Sequence, residues 1–181
     1  MRALTCLWMV RILAIAAPQQ PAANKPVDPA FGDFTTRVQQ YTKLQKTVPR
    51  PRSAAQSGQI VEYRQELARK LQVARSGAKQ GDMFTPDISE AFQRVISSVF
   101  QGPDGPKVRK TIRQGNPVLD WHPTVNDEYP EALPLTTVPP TLLLQLPTLP
   151  RGIAYQIVGH DLVLEDTEAR LVIDFIPGAL P

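Results

Sequence analysis

A chain of 181 residues with 42% hydrophobic and 20% charged residues can build one ordinary core and is too short for two large domains. Its 19 prolines, about twice the usual share, call for extended connections. The formal charge of +3 hides a division, with 16 Lys and Arg against 8 Asp and Glu over residues 17–113, then 2 against 9 over residues 114–181. Opposite signs favour docking of the two halves on each other, or a separate partner for each, and weaken any argument from the basic balance to nucleic acid.

The opening stretch, MRALTCLWMVRILAIAAPQQPAANKP, has the layout of a secretory signal: Arg2, an apolar run, small residues at Ala14, Ala16 and Ala17, then a polar Pro/Gln/Ala segment. Residues 1–16 are expected to be the signal peptide, which places the mature protein in the periplasm or outside the cell. Arg11 interrupts the apolar run, so a start at Met9 or retention as an anchor stays open. The run falls well short of the roughly 20 residues a spanning helix needs, and no transmembrane span is expected in the mature chain. Cys6, the single cysteine, leaves with the signal, which excludes a disulfide framework, a thiolate metal cage and cysteine catalysis. Residues 17–29 read as a disordered linker, because they lack apolar anchors.

From Asp28, a cap, and Pro29, at a first-turn position, Phe31, Phe34, Val38, Tyr41, Leu44 and Val48 recur at helical spacing until VPRPRS ends the helix. A second helix is predicted over residues 55–79, with Ile60, Tyr63, Leu67, Leu71 and Ala74 on its apolar face. A third begins at Thr85 as cap and Pro86, with Ile88, Phe92, Val95, Ile96 and Val99 as its stripe. The basic stretch Lys107, Arg109, Lys110 and Arg113 lies in a turn-rich connection that fits a loop or one short helix. Over residues 114–150 proline recurs every few positions, and Leu142, Leu143, Leu144, Leu146 and Trp121 are expected to form an extended strap laid across the helices.

Three alternating apolar runs close the chain, IAYQIV, DLVLE and RLVIDFI. Gly159 and His160 fit a two-residue turn with positive φ at the glycine, which pairs Val158 with Asp161, Ile157 with Leu162, Gln156 with Val163 and Tyr155 with Leu164. Carrying that register through the loop DTEA pairs Glu165 with Arg170 and Leu162 with Ile173, and assembles Tyr155, Ile157, Leu162, Leu164, Leu171, Ile173 and Phe175 on one face. It also sets Asp161 opposite Asp174, with His160 in the adjoining turn and Asp166 and Glu168 in the loop. Two facing carboxylates and an imidazole suit a divalent cation or a shared proton, while an exposed, screened pair explains them with less.

The stretch DWHPTVNDEYPE groups Asp120, His122, Asp127, Glu128 and Glu131 around Trp121 and Tyr129, an oxygen-rich loop without calcium or paired-histidine spacing. Nucleophile-elbow, phosphate-loop, zincin and C-x-x-C motifs are missing from the sequence. Lys43, Lys46, Arg50 and Arg52, joined by Lys107 to Arg113, would suit an anionic envelope polymer, a lipid headgroup or nucleic acid, against the simpler readings of a solvated face or a dock for the acidic half. Aromatic interleaving for base stacking is missing, so nucleic acid is the weakest of these.

The stretch from YPEALPLTTVPPTLLLQLPTLP to LVIDFI resembles uncharacterised small secreted bacterial proteins with a helical N-terminal half, a Pro/Leu strap and a terminal hairpin. The resemblance implies a compartment and an architecture and transfers no site residue. The chain is therefore expected to be an exported α+β protein, with residues 30–181 as a single domain: a helical part over 30–113, the strap over 114–150 and an antiparallel β-meander over 151–177. The favoured function is a non-enzymatic envelope binding or scaffolding module with an envelope protein or anionic polymer as partner, and no cofactor is expected. The alternative is a metal-dependent or acid/base hydrolase drawing on His160, Asp161 and Asp174.

Overall fold

The computed structural model describes residues 28–50, 57–115, 121–131, 133 and 138–181. The expected signal peptide, nearly all of the linker, Arg52 and Asp120 lie outside the described residues. The described chain is mixed helix and sheet, as the sequence pattern requires: α1 (Pro29–Gln45), α2 (Ser57–Ala74), α3 (Pro86–Gln101), α4 (Gly105–Gly115), the single turn α5 (Pro140–Leu143), then β1 (Ile153–Val158), β2 (Asp161–Asp166) and β3 (Leu171–Ile176). The strands form an antiparallel meander in the order β1-β2-β3.

Helix α1 starts where its cap permits, Asp28 accepting the Ala30 amide at 3.1 Å. The same carboxylate meets Arg94 at 2.6 Å, which ties the start of α1 to α3. Phe34, Val38 and Tyr41 are the buried apolar residues of α1, and Ile88, Ala91, Phe92, Ile96 and Phe100 are those of α3. Phe92 stands edge-on to Phe34 at 5.0 Å and to Phe84 at 5.1 Å, and Tyr155 of β1 completes the aromatic cluster 5.9 Å from Phe92. Here the two principal helices meet the sheet. Thr85 occupies the N-cap of α3 with extended backbone, but its hydroxyl makes no capping bond.

Helix α2 stops at Ala74, short of the predicted residue 79, because Asn126 donates to the Gln72 and Arg75 carbonyls and closes the helix there. Of its predicted face only Leu67 and Leu71 are buried apolar residues, while Ile60 lies with Val61 and Val73 among the exposed ones. The basic stretch 107–113 lies in helix α4, packed on α3. Leu142 and Leu146 are buried, whereas Leu144 is 83% exposed, since one helical turn at α5 sends consecutive leucines to different sides.

The sheet is covered on both faces. Tyr155, Ile157, Leu162, Leu164, Leu171, Ile173 and Ile176 join the helical core. On the far side Val158, Val163, Val172 and Phe175 pack with Tyr129, Leu133 and Trp121. Trp121 therefore lies against the sheet, 5.4 Å from Tyr129, and not across the helices as the strap reading expected. Residues 126–129 line the free edge of β3, where Asn126 and Tyr129 donate to the Val172 and Arg170 carbonyls and Val172 donates to Asp127. The chain thus covers the start of that edge with its own backbone.

Candidate functional site

The first hairpin has the predicted register, Val158 opposite Asp161 through Tyr155 opposite Leu164, with Gly159 at φ +59°. The second does not. Its turn takes Thr167 to Arg170, which pairs Asp166 with Leu171 and Glu165 with Val172, and an irregularity between Leu164 and Glu165 shifts the ladder by one further residue. Asp174 consequently lies opposite Leu164 and Phe175 opposite Val163. The bulge leaves Ile173 and Asp174 both directed to the helical side and sends Phe175 to the far face, which corrects the predicted face at its last position.

Each of the candidate residues His160, Asp161 and Asp174 binds backbone. His160 Nδ1 lies 3.1 Å from the Leu180 carbonyl oxygen, while the Leu180 amide donates to the His160 carbonyl at 2.9 Å. Asp161 accepts the Gly178 amide at 2.9 Å, so the hairpin turn and its neighbour hold the C-terminal tail, whose Ala179 and Leu180 are buried. Asp174 is fully buried, neither exposed nor screened, and accepts the amides of Gly81, Met83, Phe84 and Phe175 at 2.8–3.2 Å. Burial pushes its carboxyl above the usual range, and the four amides pull against that shift. The predicted facing pair is thus two separate fastenings on different parts of the chain.

Glu168 lies in the β2–β3 turn as expected, whereas Asp166 and Glu165 differ from their predicted places. Asp166 is fully buried, accepting the Tyr41 hydroxyl at 2.9 Å, the Gln45 amide group at 3.1 Å and the Glu168 and Ala169 amides at 2.9 Å. Burial raises its pKa, and these donors oppose the rise. Glu165 makes no ion pair with Arg170. It accepts from Gln156 at 2.8 Å, and Arg170 donates instead to the Tyr129 carbonyl. Desolvation raises Glu165 as well.

The acidic loop is spread along the β3 edge, with His122, Asp127 and Glu128 exposed and Glu131 within 4 Å of both Arg64 and Arg170. Among the described residues no three His, Cys, Asp or Glu side chains lie together in a way that could hold a metal ion.

A concave surface does occur elsewhere, along α1. Two adjoining hollows of about 460 and 470 Å³ share Thr42, Lys46 and Pro150. The first is flanked by Arg50, Tyr63, Arg151 and Glu168, the second by Phe34, Val38, Lys43 and Leu149. The groove therefore has an apolar floor and a basic rim. Among the described residues Lys43, Lys46 and Arg151 have no carboxylate within ion-pair distance, while Arg50 pairs with Glu168, whose other oxygen accepts the Tyr63 hydroxyl at 3.3 Å. Desolvation heads the causes that raise the Tyr63 hydroxyl.

Three of the four residues in the first predicted basic set, Lys43, Lys46 and Arg50, thus line one groove, and α4 supplies none of its lining residues. Arg151, Tyr63 and Glu168 were not legible as partners, because they come from a loop, a helix face and a turn with no shared spacing. Only the run of cations before the proline break marked the place. Comparison with protein-family models, curated proteins and solved structures finds no match for the chain. No helix among the described residues is long and apolar enough to cross a membrane.

Proposed function

We propose that the chain is a non-enzymatic cell-envelope binding module that holds an anionic envelope polymer in the groove between α1 and residues 148–151. The observation that carries this reading is the placement of Lys43, Lys46 and Arg151 along one concave surface without carboxylate partners among the described residues. Unpaired cations around a hollow concentrate anionic ligands and attract them from a distance of about a Debye length. The signal-like start supports an envelope location, and the sequence lacks nucleophile-elbow, phosphate-loop, zincin and C-x-x-C motifs. The hydrolase alternative would draw on His160, Asp161 and Asp174, whose bonds to the backbone leave no observation in its favour.

The test is calorimetric titration with an oligogalacturonate, a soluble polyanion. Binding is expected to weaken steeply with added salt and to fall about tenfold or more in a Lys46→Glu/Arg151→Glu double variant. No binding at low salt, or equal binding by the double variant, would overturn the proposal.

A further inference from the structure

Among the described residues Glu168 is the one carboxylate lining the groove, and its two oxygens are engaged separately, Oε1 by the Arg50 guanidinium and Oε2 by the Tyr63 hydroxyl. A guanidinium and a hydroxyl aimed at the two oxygens of one planar group form a cradle for a carboxylate. We infer that Glu168 holds the place of a ligand carboxylate, so that the groove takes a polymer of carboxylate-bearing units, one of which displaces Glu168 from Arg50 and Tyr63. This rests on the reading of the groove as an anionic-polymer site and adds to it the ligand's chemical class and the way the site is kept closed.

The surroundings fit an exchange. The backbone beneath Glu168 is held independently of its side chain, because Asp166 accepts the amides of Glu168 and Ala169 at 2.9 Å. The carboxylate can leave while the β2–β3 turn stays in place. Gly152, at φ +88°, passes close by: a Cβ there would lie 2.8 Å from Glu168 Oε1 and 3.2 Å from Gln45 Nε2. The missing side chain makes room for one carboxylate beside Arg50, whether it belongs to the protein or to a ligand.

With Glu168 seated, the first hollow carries Lys46, Arg50 and Arg151 against one internal anion. With Glu168 displaced, all three cations face the ligand. A single carboxylate gains little by this exchange, since one ion pair replaces another. A polymer gains more, because Lys43, Lys46 and Arg151 hold neighbouring units at high effective concentration while one unit exchanges at Arg50. The two free oxygens of an internal phosphate unit stand on a tetrahedral phosphorus and lie wider apart than those of the planar carboxylate that Arg50 and Tyr63 span here.

The experiment compares a defined oligogalacturonate with polyphosphate of matched charge on the full chain, as wild type, Glu168→Gln and Tyr63→Phe. Removing the internal competitor in Glu168→Gln is expected to tighten oligogalacturonate binding roughly three- to tenfold. Tyr63→Phe removes one prong for ligand and competitor alike, so it is expected to narrow the preference for oligogalacturonate over polyphosphate. In the wild type the Glu168 side-chain carboxylate carbon resonance is expected to move on saturation with oligogalacturonate, a readout that does not depend on any variant folding.

A folded Glu168→Gln that binds with unchanged or weaker affinity, a stationary Glu168 resonance at saturation, or a preference for polyphosphate would overturn this inference while leaving the groove as an anion site. No binding of either polymer to wild type or Glu168→Gln would instead remove the groove reading itself.

Discussion

The Tyr41 hydroxyl donates to Asp166 at 2.9 Å across a fully buried contact, joining α1 to the end of β2. Asp166 is fully enclosed, so its carboxylate depends on the donors that surround it, and each donor depends on it in turn. Tyr41→Phe is expected to lower the unfolding free energy by about 1–2 kcal/mol, and Asp166→Ala by roughly 3 kcal/mol or more, because several buried donors lose their acceptor together. Urea unfolding followed by circular dichroism measures both.

The register of the second hairpin sets a contrast between two aspartates. Asp174→Ala would leave the Gly81, Met83 and Phe84 amides without their acceptor and is expected to cost about 3–5 kcal/mol. Asp161→Ala loses one exposed bond to the Gly178 amide and is expected to cost under about 1 kcal/mol. Equal losses in parallel denaturant titrations would contradict the observed bulge and favour the facing arrangement.

Stability should fall as pH rises through the mildly acidic range. Glu165, Asp166 and Asp174 all have pKa values raised chiefly by desolvation. A carboxyl that holds its proton more tightly in the folded state adds stability that is complete below its unfolded pKa and is lost as pH rises through the folded value. Asp28 and Glu66, lowered by hydrogen bonds from Arg94 and from Arg69 and Lys70, act in the opposite sense, but they lie at the surface, partly open to solvent, where salt screens them. At moderate salt, unfolding free energies measured from about pH 4 to about pH 8 should therefore decline. Glu165→Gln should flatten the curve and raise stability at its upper end, because a neutral amide replaces a buried carboxylate whose side-chain hydrogen-bond donor among the described residues is the uncharged Gln156. A variant curve parallel to the wild type would contradict this.

What the sequence revealed and what it hid follow from the range of the forces involved. Helix α1 was legible from Asp28, Pro29 and the spacing of Phe34, Val38 and Tyr41, since capping and amphipathic periodicity act within a few residues. The first hairpin was legible because a two-residue turn with Gly159 fixes its register locally. The second failed because its four-residue turn and the bulge at Ile173 depend on Asp166 capping the turn from inside and on Asp174 reaching amides some 90 positions earlier in the chain. Neither partnership has a sequence period. The acidic stretch that looked like chemistry is mostly internal architecture, and the groove was visible only as Lys43, Lys46 and Arg50 before the proline break.

The most direct test of the central claim, that the ligand site is the α1 groove and not the terminal hairpin, is an amide chemical-shift map of the protein titrated with oligogalacturonate. Shifts confined to Thr42–Val48, Arg50, Tyr63, Arg151–Gly152 and Glu168 are the expected result, with Gly159–Asp161, Asp174 and Gly178–Leu180 unmoved. Shifts that instead centre on His160, Asp161 and Asp174 would contradict it.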